Sequence, residues 1–110
     1  MPQDHGWTVD YLGCETPGAS TLKGRVIDAD GQVVYGATVY ITLDGWPYDV
    51  PATSNEAGWY EFYLNDGQLA QIDWLHIGGV EQALGGEADA EFLVRPDCFQ
   101  HVDLRERSDR

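Results

Sequence analysis

The sequence predicts an all-β domain built as an antiparallel sandwich of two packed layers. Three observations predict it. Glycine punctuates the chain, with 13 glycines and five prolines in 110 residues, and turn signals return about every ten residues, the spacing of a sandwich. Between the turns run short segments in which apolar and polar side chains alternate, the period of a strand with one face buried. The hydrophobic fraction of 43% and the aromatic fraction of 12% are too high for a disordered chain and suffice for one core in one domain.

Each element follows in order. Leu22 to Asp28 reads as a strand that ends in the Asp28-Ala29-Asp30-Gly31 turn, where Gly accepts a positive φ and Asp hydrogen-bonds its own backbone. Ala37 to Leu43 puts Ala37, Val39, Ile41 and Leu43 on one face and Thr38, Tyr40 and Thr42 on the other, before Asp44-Gly45 turns the chain. Asn55-Glu56-Ala57-Gly58 opens Trp59 to Leu64, with Tyr60, Phe62 and Leu64 set against Trp59, Glu61 and Tyr63. After the Asn65-Asp66-Gly67 turn, strands run Gln71 to Ile77, Ala88 to Val94 and Phe99 to Leu104. Gly79 to Glu87 reads as a loop, because two glycines near its end disfavour a helical turn. The first dozen residues and the last few lack pattern, which divides the chain into an irregular arm at 1–13, one sandwich at 14–105 and a frayed tail at 106–110.

A family pattern lies over the middle of the chain. Gly24-Arg25-Val26 begins a strand, Asp28-Ala29-Asp30-Gly31 turns it, and Gly36-Ala37-Thr38-Val39 returns; Thr53-Ser54-Asn55-Glu56-Ala57-Gly58-Trp59-Tyr60-Glu61-Phe62 follows as a second hairpin. In order and spacing these segments resemble a carboxypeptidase regulatory-like domain. The resemblance implies a seven-stranded antiparallel Greek-key β-sandwich, transthyretin-like, non-catalytic and usually appended to larger secreted or surface proteins. The residues agree on their own terms. Gly24 and Gly36 stand where a side chain would obstruct close strand packing or a bend. Tyr60 and Phe62 share the inward parity of Ala37, Val39 and Ile41 on the strand expected beside them. Each large side chain buried contributes about 1.5–3 kcal/mol, so a register slip is penalised by the same amount.

Charge excludes several partners. Asp and Glu number 19 against 6 Lys and Arg, for a formal net charge of −13. Nucleic acid and anionic membranes are polyanions and repel such a chain. No run approaches the roughly eighteen apolar residues of a membrane helix. The opening Met-Pro-Gln-Asp-His-Gly has neither the basic start nor the greasy stretch of a signal peptide.

Cys14 and Cys98 precede the first and last expected strands, which come close in a sandwich of the transthyretin type. A bridge between them would close a loop of about 85 residues and stabilise by about 4–5 kcal/mol in the chain-entropy model, and it would imply an oxidising compartment. The alternative is two reduced thiols packed as small apolar groups. There is no Cys-x-x-Cys, so neither a metal site nor a cofactor is expected. His5, His76 and His101 stand apart, with no His-x-His among them, and read as surface or edge residues. The catalytic relatives of this fold carry a Tyr-Arg-Gly-Ser tail or a His-x-His iron pair, and this chain has neither. The chain is therefore expected not to be an enzyme, an expectation that a His and two carboxylates, or a metal, meeting in one cleft would overturn. Lys23 and Glu61 invite an isopeptide, but Asn55 and Asn65 fall in turns and leave a solvated lysine. Asp28, Asp30, Asp44 and Asp66 offer oxygen ligands without the later positions of a calcium loop, so turn chemistry explains them.

The aromatic residues carry the best functional hint. Tyr40, Trp59 and Tyr63 take the outward parity of two strands that the resemblance sets side by side, and Trp46 and Tyr48 lie in the loop after one of them. These five form a candidate binding face, able to stack on sugar rings or to be covered by a neighbouring domain or a second copy of the chain. The plainer alternative is that they cover the sandwich edge. Trp7, Trp74 and Phe99 are assigned to the core or a docked arm. The expected function is a non-catalytic interaction or spacer module of a larger extracellular or cell-surface assembly. Its partners would be other domains of a parent protein, or further copies of itself joined through edge strands or the aromatic face. The alternative is a carbohydrate-binding module using the same rings.

Overall fold

A computed structural model describes residues 6–86 and 90–107. Residues 1–5 of the expected arm with His5, residues 87–89 and tail residues 108–110 lie outside the described residues. The strands are β1 (Trp7–Glu15), β2 (Thr21–Ile27), β3 (Thr38–Leu43), β4 (Trp46–Pro47), β5 (Ala52–Thr53) and β6 (Trp59–Tyr63). They continue with β7 (Leu69–Ile77), β8 (Val80–Gln82), β9 (Leu84–Gly86), β10 (Phe92–Leu93) and β11 (Phe99–Glu106). No helix occurs among the described residues.

Two sheets face each other. One runs β6-β2-β11-β1-β9; the other runs β10-β7-β3-β4, with β5 added to β3 and β8 to β7. Their inner faces meet in one core, Val9, Leu22, Val26, Tyr60, Phe62, Val102 and Leu104 from the first against Val39, Ile41, Ile72 and Leu75 from the second. The alternation read in β2, β3 and β6 therefore sets the inner faces, as expected. Three expectations change. β3 and β6 are not side by side but lie in opposite sheets, so Ile41 and Phe62 share the core across the layers. The first sheet is mixed rather than antiparallel, because β2 runs parallel to β11 and β9 parallel to β1. The described residues form eleven strands rather than seven.

The irregular arm is also overturned over its described part. Trp7 and Val9 alternate with Thr8 and Asp10, which is the strand period, and both apolar residues are buried in β1 between β11 and β9. At the other terminus Arg105 and Glu106 continue β11, paired with Thr8 and Trp7. The expected loop from Gly79 is a hairpin instead. Gly78 and Gly79 both take positive φ, 62° and 79°, and fold Val80 back onto Ile77.

An interruption in the first sheet links three distant residues. The β2–β11 ladder pairs His101 with Lys23 and resumes at Leu104 with Val26. In the gap the Val102 carbonyl accepts a hydrogen bond from the Tyr60 hydroxyl. Gly24 lies beneath that carbonyl, where a Cβ would overlap it. The Arg25 N–H, left without a ladder partner, donates to the Asp103 carboxylate at 2.8 Å. Gly24, Tyr60 and Asp103 thus answer one another, since a buried backbone group must find a partner.

The two ends of the described domain leave side by side. Arg107 N donates to Gly6 O at 3.0 Å, and Trp7 pairs with Glu106. At the far end of the same two strands Cys14 and Cys98 stand at disulfide distance, with Cα atoms 5.5 Å apart.

Candidate functional site

The five aromatic residues expected to share a face do not. Trp59 and Tyr63 lie on the outer face of the first sheet and Tyr40 on the outer face of the second. Tyr48 turns inward and packs edge-on against Phe62, ring centroids 6.1 Å apart. Trp46 projects from the β4 edge with 76% of its surface exposed. No single platform holds them, because β3 and β6 belong to different layers.

What gathers on the first sheet's outer face is a buried polar network. His101 Nδ1 lies 2.9 Å from Glu15 Oε2, and its Nε2 lies 2.8 Å from Asp103 Oδ1. Asp103 is fully buried, and it also faces the guanidinium of Arg25 at 3.4 Å and that of Arg105 at 4.0 Å. The imidazole lies beside the rings of Trp59 and Phe99, at centroid distances of 5.3 and 5.7 Å. Lys23 Nζ lies 4.3 Å above the Phe99 ring and 3.8 Å from Glu61. The lysine that invited an isopeptide is thus a lid over an aromatic ring. His101 is buried rather than at the surface or edge as expected, because Trp59 of β6, Phe99 and the carboxylates of Glu15 and Asp103 pack against it.

A histidine between two carboxylates is a catalytic motif only where a reacting group can reach it. Here both ring nitrogens already face a carboxylate oxygen, two aromatic rings lie beside the imidazole, and His101 is only 8% exposed. Two grooves of the described surface are lined by other residues: one by the β7–β9 region, the other by Tyr11, Phe92 and their neighbours beside Cys14. Tyr60, beneath this network, has its phenol pKa raised well above 10.0 by burial, with the Asp103 charge adding to the effect.

Among the described residues, the donors of Cys14, Asp97 and Cys98 come within 4.8 Å of one another. With the two sulfurs turned to each other, one carboxylate remains, too few ligands for a structural metal. The acidic turns are satisfied internally, as expected: Asp28 Oδ1 accepts from Asp30 N and Gln32 N, and Asp44 Oδ1 from Leu69 N.

The second sheet's outer face carries the residue that sequence reasoning misplaced. β3 and β7 pair Tyr40 with Trp74 but Ile41 with Ile72, leaving Asp73 as an extra residue. That bulge reverses the parity of β7, so Ile72 and Leu75 both point inward and Trp74 points out, half exposed. Asp73 accepts a hydrogen bond from Thr42 Oγ1. Tyr40 packs beside His76, 4.9 Å between centroids. The signal available was the failure of strict alternation from Ile72 to Ile77. Trp7 joins the core as assigned, its indole donating to Gln82, whereas Phe99 is buried outside the core, beside His101 and beneath Lys23.

Comparison with family models, curated proteins and solved structures returned no match for the chain.

Proposed function

We propose that this chain is a non-catalytic interaction module of a larger extracellular or cell-surface assembly, joined to that assembly through one end. The observation that carries the reading is the hydrogen bond between Gly6 and Arg107 beside the Trp7–Glu106 pair, which sets the two ends of the described residues side by side. A module attached in this way projects from its parent, and any spacing it provides acts sideways from that attachment. The cysteine pair at the opposite end supports an oxidising compartment. The net charge of −13 supports solubility. Partners are other domains or proteins that meet the outer faces. Further copies pairing by edge strands belong to the same proposal: β4, β9 and β10 are only two or three residues long, but β6 (Trp59–Tyr63), an edge of the first sheet, offers five residues.

Kinship with the carboxypeptidase regulatory-like domains, and with their transthyretin-like Greek key, belongs to the same proposal. Its support is that the matched segments occupy β2, β3 and β6, with Gly36 at φ 85° in the turn and Ala37 buried behind it.

The test is to insert residues 6–107 into a surface loop of a stable, unrelated host protein. Adjacent ends predict that both partners fold and the host's melting temperature is unchanged. A host that unfolds overturns the one-ended attachment. Light scattering over a concentration series then reads the partner class: a constant mass near 12.2 kDa supports other domains as partners, and a rising mass identifies copies of the chain.

A further inference from the structure

The bulge in β7 turns Trp74 into a groove that the core does not require. This groove, of about 450 Å³, runs between β7 and the β8–β9 segment and is lined by Trp74, Asp73, Gln71, Glu81 and Gln82 among others. We propose that it binds a neutral pyranose sugar, with the apolar face of the ring stacked on the Trp74 indole and its hydroxyls hydrogen-bonded to Asp73, Glu81 and Gln82.

Three observations lead there. A tryptophan held half in solvent at a bulge forgoes the burial that parity would have given it, and bulges recur where a side chain is re-aimed toward a ligand. The polar groups beside it are held before any ligand arrives. Asp73 is fixed by Thr42. Gln82 accepts from the Trp7 indole at 3.2 Å and donates to the Val80 carbonyl at 3.1 Å. A carboxylate has about four lone-pair sites, so the bond from Thr42 leaves Asp73 able to accept from sugar hydroxyls. Groups positioned in this way lower the ordering cost of binding. Finally, the charged residues lining the groove are both acidic, Asp73 and Glu81, with no Lys or Arg among them. That lining rejects uronates, sialic acids and phosphorylated ligands and leaves neutral sugars as the aromatic-stacking, hydroxyl-rich class that fits. The proposal does not depend on the one-ended attachment above.

The test uses the intact chain labelled with ¹⁵N, its four tryptophan indole signals assigned by single Trp→Phe variants. It is titrated with methyl glucopyranoside, methyl galactopyranoside, methyl mannopyranoside, N-acetylglucosamine, cellobiose and, as the charged control, galacturonic acid. The expected result is a saturable shift of the Trp74 indole with at least one neutral sugar, weakened about tenfold or more in Trp74→Ala, the loss expected for one stacking contact. Trp46→Ala, at the exposed β4 edge, keeps the affinity. Glu81→Gln leaves the core untouched and gives a second reading through altered affinity, should Trp74→Ala fold poorly. A Trp74 signal unmoved by every neutral sugar overturns the proposal. So does binding that survives Trp74→Ala, or galacturonic acid binding as tightly as the neutral sugars.

Discussion

On the outer face of the five-stranded sheet, His101 and Asp103 are enclosed by Trp59, Phe99, Lys23 and Arg25; on the outer face of the other sheet, Asp73 is held by Thr42 and Trp74 stands half in solvent. Both faces use carboxylates and aromatic rings. In the first, each polar atom of the imidazole is turned to another side chain of the same face, so the chemistry is spent on holding strands together. In the second, the strand bulges and the ring is left uncovered, so the chemistry remains available. The histidine between two carboxylates is therefore the enclosed feature here, and the Asp73–Trp74 pair is the one that lines a surface groove.

The contrast can be broken from the closed side first. Replacing Cys14 and Cys98 together by Ser removes the tie between β1 and the start of β11; for the 84-residue separation the expected loss is about 4–5 kcal/mol, measured as a shift in urea midpoint. Asp103→Ala strips the Arg25 N–H, His101 and a guanidinium of their shared acceptor, and should cost about 3–5 kcal/mol in the same measurement. Tyr60→Phe, which leaves the Val102 carbonyl without its phenol donor, should cost about 1–2 kcal/mol at neutral pH. The same variant sharpens the comparison at high pH. The unfolded phenol loses its proton near 10.0, while the folded one, its pKa raised by burial and then by Asp103, keeps it. The native state then binds more protons, so stability falls as pH climbs above that value. In Tyr60→Phe the fall should be shallower. The smallest effect belongs to the open face: Trp74→Ala should change stability by no more than about 0.5 kcal/mol, because a half-exposed ring on an outer face gives up little packing.

Local alternation made part of this legible. Val39, Ile41, Tyr60 and Phe62 declared their inward faces, and the Asp28 and Asn55 turns announced themselves by residue type. Trp7, Thr8, Val9 and Asp10 carried the same period as those strands, yet the segment was read as an arm because Gly13 and the residues around it break the pattern. Longer-range facts had no local signature. The parallel pairing of β2 with β11 joins residues nearly eighty positions apart, and which strands share a sheet decides whether Tyr40 and Trp59 meet. One extra residue, Asp73, was enough to send Trp74 to the opposite face from the one assigned. The burial of His101 draws on Glu15 of β1 and Trp59 of β6, which no spacing within β11 encodes.

The paired strands at the chain ends also have a mechanical consequence. Tension drawn across Gly6 and Arg107 would act at one end of an antiparallel pair, opening its hydrogen bonds in succession like a zip instead of shearing them all at once. Peeling would then run from Trp7 and Glu106 toward Cys14 and Cys98, where a disulfide formed by that pair would halt it. With the pair bridged, everything between those two cysteines would be shielded from the pull, so the domain would yield a short, fixed length of slack and then hold.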